Sequence, residues 1–286
     1  MKIFHHNDMD GYTSAAVMLN SIGACMNTEL FCVNYESDVE EKFNKVEDKE
    51  KVIIVDYSFT EDTCHILQKL IDKKCKIVWI DHHDSSIQLE NKHTEFKVLR
   101  GIRSKDHSGA ALAYMFIHNC EYEKVPYFIK LVSDYDTFQR NMIPESDYFK
   151  LYYDAQPDKF YYLNTLLSVK DMIDNKMIKE AINNGKIIKD YIDQEYKSYR
   201  NGYGFESELE GIKVFVINRS CNSWIFGEKY DEYPMVCVFA FDGKEYKYSL
   251  FSSDSTVDCS KIAEKFGGGG HKGAAGFRSK KNLFDK

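Results

Sequence analysis

The stretch KIVWIDHHDSS, residues 76–86, is an apolar run that ends abruptly in aspartate and histidine. Its first half is typical of a short strand that is buried on both faces. A single ending of this kind is weak evidence for a functional site, because polar residues often mark the point where a strand reaches the surface. Two other β-rich runs end in the same way: residues 2–4 are followed by HHNDMDG, and residues 52–55 are followed by Asp56. The repetition indicates a common site.

Amphipathic segments separate these runs, and this alternation predicts βαβ units with a parallel sheet, hence an α/β fold. Ligands of such sheets gather outside the carboxyl ends of the strands. Three strands would therefore deliver acidic and histidine side chains to one edge of the sheet. The predicted strands span 2–5, 29–35, 51–56 and 76–81, the predicted helices span 11–22, 38–46 and 61–73, and Ser108 is expected to cap a further helix.

The sequence pattern changes after a mostly helical stretch at 125–199. Residues 212–217 read as a strand, residues 235–241 and 245–251 read as a hairpin that turns at Asp242-Gly243, and residues 260–266 read as a short helix. These elements predict a second, smaller α/β domain. We therefore divide the chain into an N-terminal domain at 1–170, a helical linker at 171–202 and a C-terminal domain at 203–286.

Composition limits the kinds of partner. The 286 residues carry a net charge of −7, which disfavours a broad basic surface along a nucleic acid duplex but permits a small phosphorylated substrate. No apolar run approaches the length of a membrane helix, and the start of the chain lacks the apolar stretch of a signal peptide. The eight cysteines form no C-x-x-C motif, so we expect reduced thiols in a cytoplasmic protein.

The strand ends and one later acidic segment supply a set of candidate metal ligands. Carboxylate and imidazole ligands without thiolate suit Mn²⁺, Mg²⁺ or Fe²⁺ better than a structural zinc ion. Four carboxylates balance two divalent cations, so we expect a pair of ions with one bridging acid, which can activate water and stabilise a phosphoryl transfer. The set comprises His6, Asp8, Asp10, Asp56, His82, His83 and Asp134.

A glycine-rich segment near the end of the chain offers a different kind of site. Gly267 to Gly270 precede His271 and Lys272. Glycines let the backbone approach a ligand closely, and successive amide groups in such a loop can form an anion-binding nest.

These motifs, in this order, resemble those of the DHH phosphoesterases. The matching residues are His6-x-Asp8-x-Asp10-Gly11, Asp56, Asp81-His82-His83 and Asp134. The segment GGGGHKGAAGF, residues 267–277, resembles the signature of the associated DHHA1 domain, so the motifs bracket nearly the whole chain. The family includes RecJ-type exonucleases, nanoRNases, cyclic-dinucleotide phosphodiesterases and manganese pyrophosphatases. The first motif is most similar to that of the compact nanoRNase-like members.

The resemblance implies a role for each matching residue. His6, Asp8 and Asp56 would hold one metal ion, and Asp10, Asp56, His82 and Asp134 the other, with Asp56 bridging. His83 would stabilise the phosphate or donate a proton, and Asp81 would orient an imidazole. Gly268, Gly269, Gly270 and His271 would hold the terminal phosphate or sugar of the substrate, and Ser108 is a further candidate on the phosphate side.

One departure puts the usual substrate in doubt. Family members often carry Ser-Leu-Arg-Ser where this chain has Ser249-Leu250-Phe251-Ser252, and Arg219 or Arg278 would have to replace the missing cation.

We expect a two-metal phosphodiesterase, with Mn²⁺ as the first choice of cation. Its substrates would be short single-stranded RNA or DNA oligonucleotides or linear dinucleotides, and the protein would act as a monomer or homodimer without membrane attachment. The alternatives are a cyclic (di)nucleotide phosphodiesterase, an inorganic pyrophosphatase and a nucleotide-binding sensor without catalysis.

Overall fold

A computed structural model of the chain describes residues 1–21, 27–35, 38–168, 172–254 and 256–284. The helices in these ranges are α1 (Met9–Ser21), α2 (Val39–Asn44), α3 (Cys64–Asp72), α4 (Asp84–Lys92), α5 (Gly109–His118), α6 (Tyr127–Asp136), α7 (Glu145–Asp154), α8 (Lys159–Ser168), α9 (Met172–Tyr203), α10 (Lys229–Glu232) and α11 (Cys259–Lys265). The strands are β1 (Lys2–His6), β2 (Glu29–Val33), β3 (Lys51–Val55), β4 (Lys76–Ile80), β5 (Gly204–Leu209), β6 (Ile212–Asn218), β7 (Met235–Phe241), β8 (Tyr246–Phe251), β9 (Gly269–His271) and β10 (Ala274–Ser279).

The first four strands form a parallel sheet in the order β2-β1-β3-β4, which confirms the predicted α/β fold. Each predicted strand is present within two residues of its expected ends. The first helix begins two residues earlier than expected, and the last position of its prediction, residue 22, lies outside the described residues.

Both faces of this sheet are buried, which explains the continuous apolar runs in the sequence. Successive strand residues point to opposite faces, so Ile53 and Val55 join one core while Val52 and Ile54 join the other. Helices α1, α5 and α6 supply the first core, and α3 supplies Ile66, Leu67 and Leu70 to the second. The carboxyl ends of β1, β3 and β4 therefore lie side by side between two layers.

The later strands form a mixed sheet in the order β5-β6-β7-β8-β10-β9. The predicted hairpin of β7 and β8 is present: Gly243 has a positive φ of 95°, and the amide of Asp242 donates to the Glu245 carbonyl at 3.0 Å. Strand β5 was not expected. It follows α9 directly, so the helix continues past the predicted end of the linker.

The chain divides into two compact units, Met1–Ile188 and Lys189–Lys286. The boundary falls within α9. The helix predicted as a linker is therefore divided between the two units. No helix in the described ranges is both long and apolar enough to cross a bilayer.

Candidate metal centre

Histidine and aspartate side chains collect at the carboxyl ends of three neighbouring strands, as predicted. His6 ends β1, Asp56 follows β3, and Asp81-His82-His83 follows β4. Because these strands are parallel neighbours, their ends meet at one edge of the sheet. Asp8 and Asp10 are added by the turn from β1 into α1.

The first group of ligand atoms comes from His6, Asp8 and Asp56, which lie within 4.8 Å of one another. His6 Nδ1 is 2.6 Å from Asp8 Oδ2 and 4.0 Å from Asp56 Oδ2. Burial alone would raise the pKa of Asp8, but hydrogen bonds from His6 and from the Gly11 amide lower the pKa to about 2. Asp8 is thus held in its charged form.

The second group centres on His82. Its Nε2 atom lies 3.2 Å from Asp56 Oδ1, 3.2 Å from Asp136 Oδ2 and 4.0 Å from Asp10 Oδ2. Asp10 is itself fixed at the start of α5, where it accepts hydrogen bonds from the amides of Gly109 at 2.6 Å and Ala110 at 3.0 Å. The amides of a helix start, which have no partner within the helix, stabilise a carboxylate in this position.

Asp56 lies between the two groups. Its side chain is 1% exposed, and neither oxygen accepts a hydrogen bond from any residue in the described part of the chain. Its φ of 52° is in the left-handed region, which aspartate tolerates better than most residues. Oδ2 faces His6 and Oδ1 faces His82, which is the placement that a bridging ligand needs. A buried carboxylate without a partner is costly unless a cation binds it.

The surrounding charges strengthen this requirement. Burial, followed by the charges of Asp10 and Asp8, raises the pKa of Asp56 well above its ordinary value. The same causes raise the pKa of Asp136 to about 8. Burial also raises the pKa of Asp10. These shifts mean that the acids repel one another, and divalent cations held by oxygen and nitrogen donors would relieve that repulsion.

His83 stands beside the cluster and is held by a buried carboxylate. Its Nδ1 is 2.8 Å from Asp81 Oδ1, while Ser86 donates to the other oxygen of Asp81. Burial lowers the pKa of His83, but the hydrogen bond and charge of Asp81 outweigh that effect and the pKa is raised. Asp81 is therefore placed to orient an imidazole. His83 can also share a group of ligand atoms with Asp56 and His82.

The structure corrects the assignment of Asp134. Both of its oxygens are occupied, because Oδ1 accepts from the Asn141 amide at 2.6 Å and Oδ2 from the Ser146 hydroxyl at 2.8 Å. Asp136, at the end of the same helix, faces His82 instead. Asp134 thus fastens the loop after α6, and Asp136 completes the cluster.

The structure also changes the picture at Ser108 and at its neighbour Gly109. Ser108 occupies the N-cap position of α5, as predicted, but its fully buried side chain accepts no amide hydrogen bond there, and Asp10 accepts from the first amides of the helix instead. The structure therefore gives the Ser108 hydroxyl no exposed surface for a substrate. Gly109 was missed as a site residue: a Cβ there would lie 2.9 Å from both Asp10 Oδ2 and Asp56 Cβ. The cluster needs glycine at this position.

The glycine-rich segment does not form the expected nest. The amides of Gly267 and Gly268 donate to the carbonyls of Glu264 and Ala263, which close the end of α11. Gly269, Gly270 and His271 form β9, an exposed strand at the edge of the second sheet. Any substrate contact there would come from an open strand edge.

The two arginines considered as replacements for the missing cation lie in different settings. Arg278 forms ion pairs with Asp242 and Glu245. The Arg219 guanidinium lies 4.6 Å from the ring centroid of Tyr199 and 5.5 Å from that of Tyr196. Phe251, which stands where family members often have arginine, packs against the core around Phe226. The charge of Arg278 is thus balanced by two carboxylates, whereas Arg219 lies against aromatic rings.

Comparisons with known proteins find one family and several relatives. Residues 1–137 match the model of the DHH family, N-terminal domain. The chain is 28% identical over 251 residues to an uncharacterized protein of Acanthamoeba polyphaga mimivirus, covering 82% of this chain and 54% of that protein. It is 22% identical over 298 residues to the oligoribonuclease NrnB of Bacillus subtilis, covering 96% of this chain and 71% of that protein. The chain thus spans about half the length of the first of these relatives.

Solved structures share the fold. The pGpG-specific phosphodiesterase PggH from Vibrio cholerae aligns with a TM-score of 0.55 at 15% identity, covering 98% of this chain and 92% of that one. RecJ from Thermus thermophilus, in complex with Mn²⁺, aligns with a TM-score of 0.53 at 13% identity, covering 96% of this chain and 49% of that one. At such identities the likeness concerns the fold alone.

Proposed function

We propose that this chain, whose residues 1–137 match the DHH family, N-terminal domain, is a metal-dependent phosphodiesterase that hydrolyses short single-stranded oligonucleotides or linear dinucleotides to mononucleotides. The observation that carries this proposal is the buried carboxylate of Asp56. Its two oxygens lack hydrogen-bond partners among the described residues and face two separate groups of histidine and aspartate. This arrangement fits two cations that share one bridging acid.

Two divalent ions would be held by the residues of the two groups. His6, Asp8 and Asp56 would hold one, and Asp10, Asp56, His82 and Asp136 would hold the other. Oxygen and nitrogen donors without sulfur suit Mn²⁺, with Mg²⁺ and Fe²⁺ as alternatives, and we propose Mn²⁺. When bound, such a pair supplies positive charge to a phosphate group and acidifies water.

The protein's own groups would perform the remaining tasks. The hydrogen bond to Asp81 fixes the orientation of the His83 ring and leaves Nε2 as the second ring nitrogen. The raised pKa of His83 favours a proton on the ring, so His83 would stabilise the phosphate or protonate the leaving oxygen. The helix start of α5 would keep Asp10 in place throughout the reaction.

A short substrate is supported by charge and by the relatives. The net charge of −7 leaves little attraction for a long phosphate backbone. Arg278 and Lys247 both pair with Asp242, which reduces their pull on phosphate. One relative is named as an oligoribonuclease and one structural neighbour as a pGpG-specific phosphodiesterase. We extend that preference for small substrates to this chain.

A substrate panel tests the proposal. Purified protein with Mn²⁺ would be assayed on labelled di- to decanucleotides of RNA and DNA, on cyclic dinucleotides and on pyrophosphate, with the Asp56→Ala protein as a control for contaminating nucleases. We expect the highest turnover for roughly two to five nucleotides, with mononucleotides as products. Processive degradation of long strands that left dinucleotides intact would refute the proposal. Hydrolysis of cyclic dinucleotides alone would favour the cyclic-dinucleotide alternative.

A further inference from the structure

A second group of metal-ligating side chains lies away from the catalytic cluster, between α3 and α4. We call it the Cys64 cluster; it consists of Glu61, Cys64 and His93. One ligand atom from each residue lies within 4.8 Å of the others. Cys64 is the first residue of α3, and Glu61 lies three residues before it in the chain. His93 directly follows α4. Two helix ends therefore bring sulfur, oxygen and nitrogen donors to one place.

We propose that the Cys64 cluster is a zinc-binding site that is separate from the catalytic centre. A thiolate, an imidazole and a carboxylate form a mixed ligand set that zinc commonly binds, with water as the fourth ligand. Mn²⁺ and Mg²⁺ prefer oxygen ligands and bind such sites weakly. The two clusters would therefore select different metals: the oxygen-rich catalytic cluster selects Mn²⁺, and the thiol-containing cluster selects Zn²⁺.

The surroundings of His93 are an independent sign of metal binding. Its Nε2 lies 3.2 Å from Glu61 Oε2, inside the cluster, while Nδ1 lies 3.4 Å from Glu95 Oε1 on the outside. A histidine that binds a metal through one nitrogen usually donates its other N–H to a carboxylate, which fixes the ring and raises its basicity. The Glu95 carboxylate lies within ion-pair distance of Nδ1, and it would become this outer partner once a metal fixes the ring.

The other contacts of the cluster are compatible with an ion. Lys92 Nζ is 2.8 Å from Glu61 Oε1, which leaves Oε2 for a metal. The Cys64 thiol lies 3.1 Å from the Glu61 carbonyl oxygen, and on binding zinc it would release its proton to solvent and form a sulfur–zinc bond. The Glu61 side chain is 51% exposed and that of His93 26%, so an ion can enter without unfolding. Bound zinc would fasten the start of α3 to the end of α4.

Cobalt(II) titration tests the site with a signal specific to sulfur. A cobalt–thiolate bond gives a charge-transfer band in the near ultraviolet, whereas the oxygen and nitrogen ligands of the catalytic cluster give none there. Co²⁺ would be added to full-length protein already loaded with Mn²⁺. We expect one sulfur-bound Co²⁺ per chain, displaced by Zn²⁺ but not by excess Mn²⁺ or Mg²⁺.

Matched variants identify the ligands. Cys64→Ser should abolish the band, whereas Cys75→Ser should leave it unchanged, since the Cys75 thiol contacts the Glu47 carbonyl and belongs to no such cluster among the described residues. Glu95→Gln should keep the band but weaken cobalt affinity by about 10-fold. Turnover with Mn²⁺ should be the same in Cys64→Ser and in the unmodified protein, because the cluster lies outside the catalytic centre.

Several results would overturn the proposal: no band in the unmodified protein, a band that survives in Cys64→Ser, or equal loss in both cysteine variants. If Cys64→Ser failed to fold by circular dichroism, His93→Ala would replace it. That variant should lose at least 10-fold in cobalt affinity, since it removes a direct ligand rather than its outer partner.

Discussion

The acidic edge of the first sheet and the glycine-rich edge of the second differ in how fully their polar groups are satisfied. At the first edge, Asp56 is buried with two unpartnered oxygens, Asp10 is buried among like charges, and the partly exposed Asp136 lies beside the same charges. At the second, β9 is exposed, and the amides before it are occupied by the end of α11.

Buried groups without partners require a ligand, and the signs of their charges specify its class, here divalent cations. Exposed groups can remain solvated when no ligand is bound. The buried acids of the first edge therefore require a cation, whereas the exposed glycine-rich edge does not require a substrate.

The largest effect is expected from Asp56→Ala. Among the described residues, Asp56 is the one carboxylate that faces both ligand groups, so its removal should cost bound metal and reduce turnover to the level of metal-free protein. The fold should persist, because removal of one buried charge relieves repulsion among the others. Metal content by mass spectrometry, turnover and circular dichroism would be measured together. Two bound ions and normal turnover in this variant would contradict the bridging role.

His83→Ala should separate chemistry from metal binding. If His83 acts on the phosphate, the metal content should stay unchanged while kcat falls by roughly 10²–10⁴-fold. Ser85→Ala, a nearby change on α4 outside the ligand groups, serves as the control. Loss of an ion in His83→Ala would instead make His83 a ligand, a role that its position near Asp56 and His82 permits.

The pair Asp136→Asn and Asp134→Asn tests the corrected ligand. Loss of a residue that only hydrogen-bonds to a ligand weakens metal affinity by about 10–100-fold. Asp136→Asn removes a direct ligand, so it should weaken metal affinity by at least that much. Asp134→Asn should retain both ions but unfold more easily, by about 1–3 kcal/mol, because its oxygens accept two buried hydrogen bonds. The reverse pattern would restore Asp134 to the metal centre.

Metal removal should make stability fall as pH rises. The pKa of Asp136 is raised to about 8, so the folded metal-free protein keeps a proton that the unfolded chain releases above about pH 4. The free energy of unfolding must then decrease as the pH rises from about 4 to about 8. Thermal unfolding in chelator should give a lower Tm at pH 8 than at pH 6, and Mn²⁺ should raise the Tm more at pH 8. Equal Tm values in chelator would contradict the buried acidic cluster.

Much of the first sheet could be predicted from sequence. Strands buried on both faces read as continuous apolar runs, and the acids and histidines after them had to fall at one edge once the sheet was parallel. The choice between Asp134 and Asp136 could not be made in this way. Residues two apart on a helix point in different directions, and only the packing of α6 decides which one faces His82.

Three other features depended on contacts that the sequence does not reveal. The need for glycine at position 109 arises from the approach of Asp10 and Asp56. The nest expected at Gly267 to Gly270 is not formed, because the end of α11 uses the amides of Gly267 and Gly268 and the next residues form β9. Strand β5 was missed because its charged, exposed residues lack the apolar pattern of a buried strand.

The smallest expected effect on catalysis lies at the glycine-rich edge, and it tests whether this edge binds substrate at all. A Cβ at Gly268 would lie 2.1 Å from the Gly276 carbonyl oxygen, whereas a Cβ at Gly269 would meet no described atom within 4 Å. Gly268→Ala should therefore destabilise the fold by about 1–3 kcal/mol.

Gly269→Ala should leave stability unchanged, since packing does not explain the missing side chain. If a substrate approaches this strand closely, KM should rise by roughly tenfold, which corresponds to about 1.4 kcal/mol of binding free energy. Because the reacting phosphate would be held elsewhere, kcat should stay the same. Steady-state kinetics on a dinucleotide, with thermal unfolding of both variants, would measure these effects. If KM is unchanged in Gly269→Ala, the added methyl group does not hinder the substrate. The substrate would then not approach this strand, and the edge would have a structural role only.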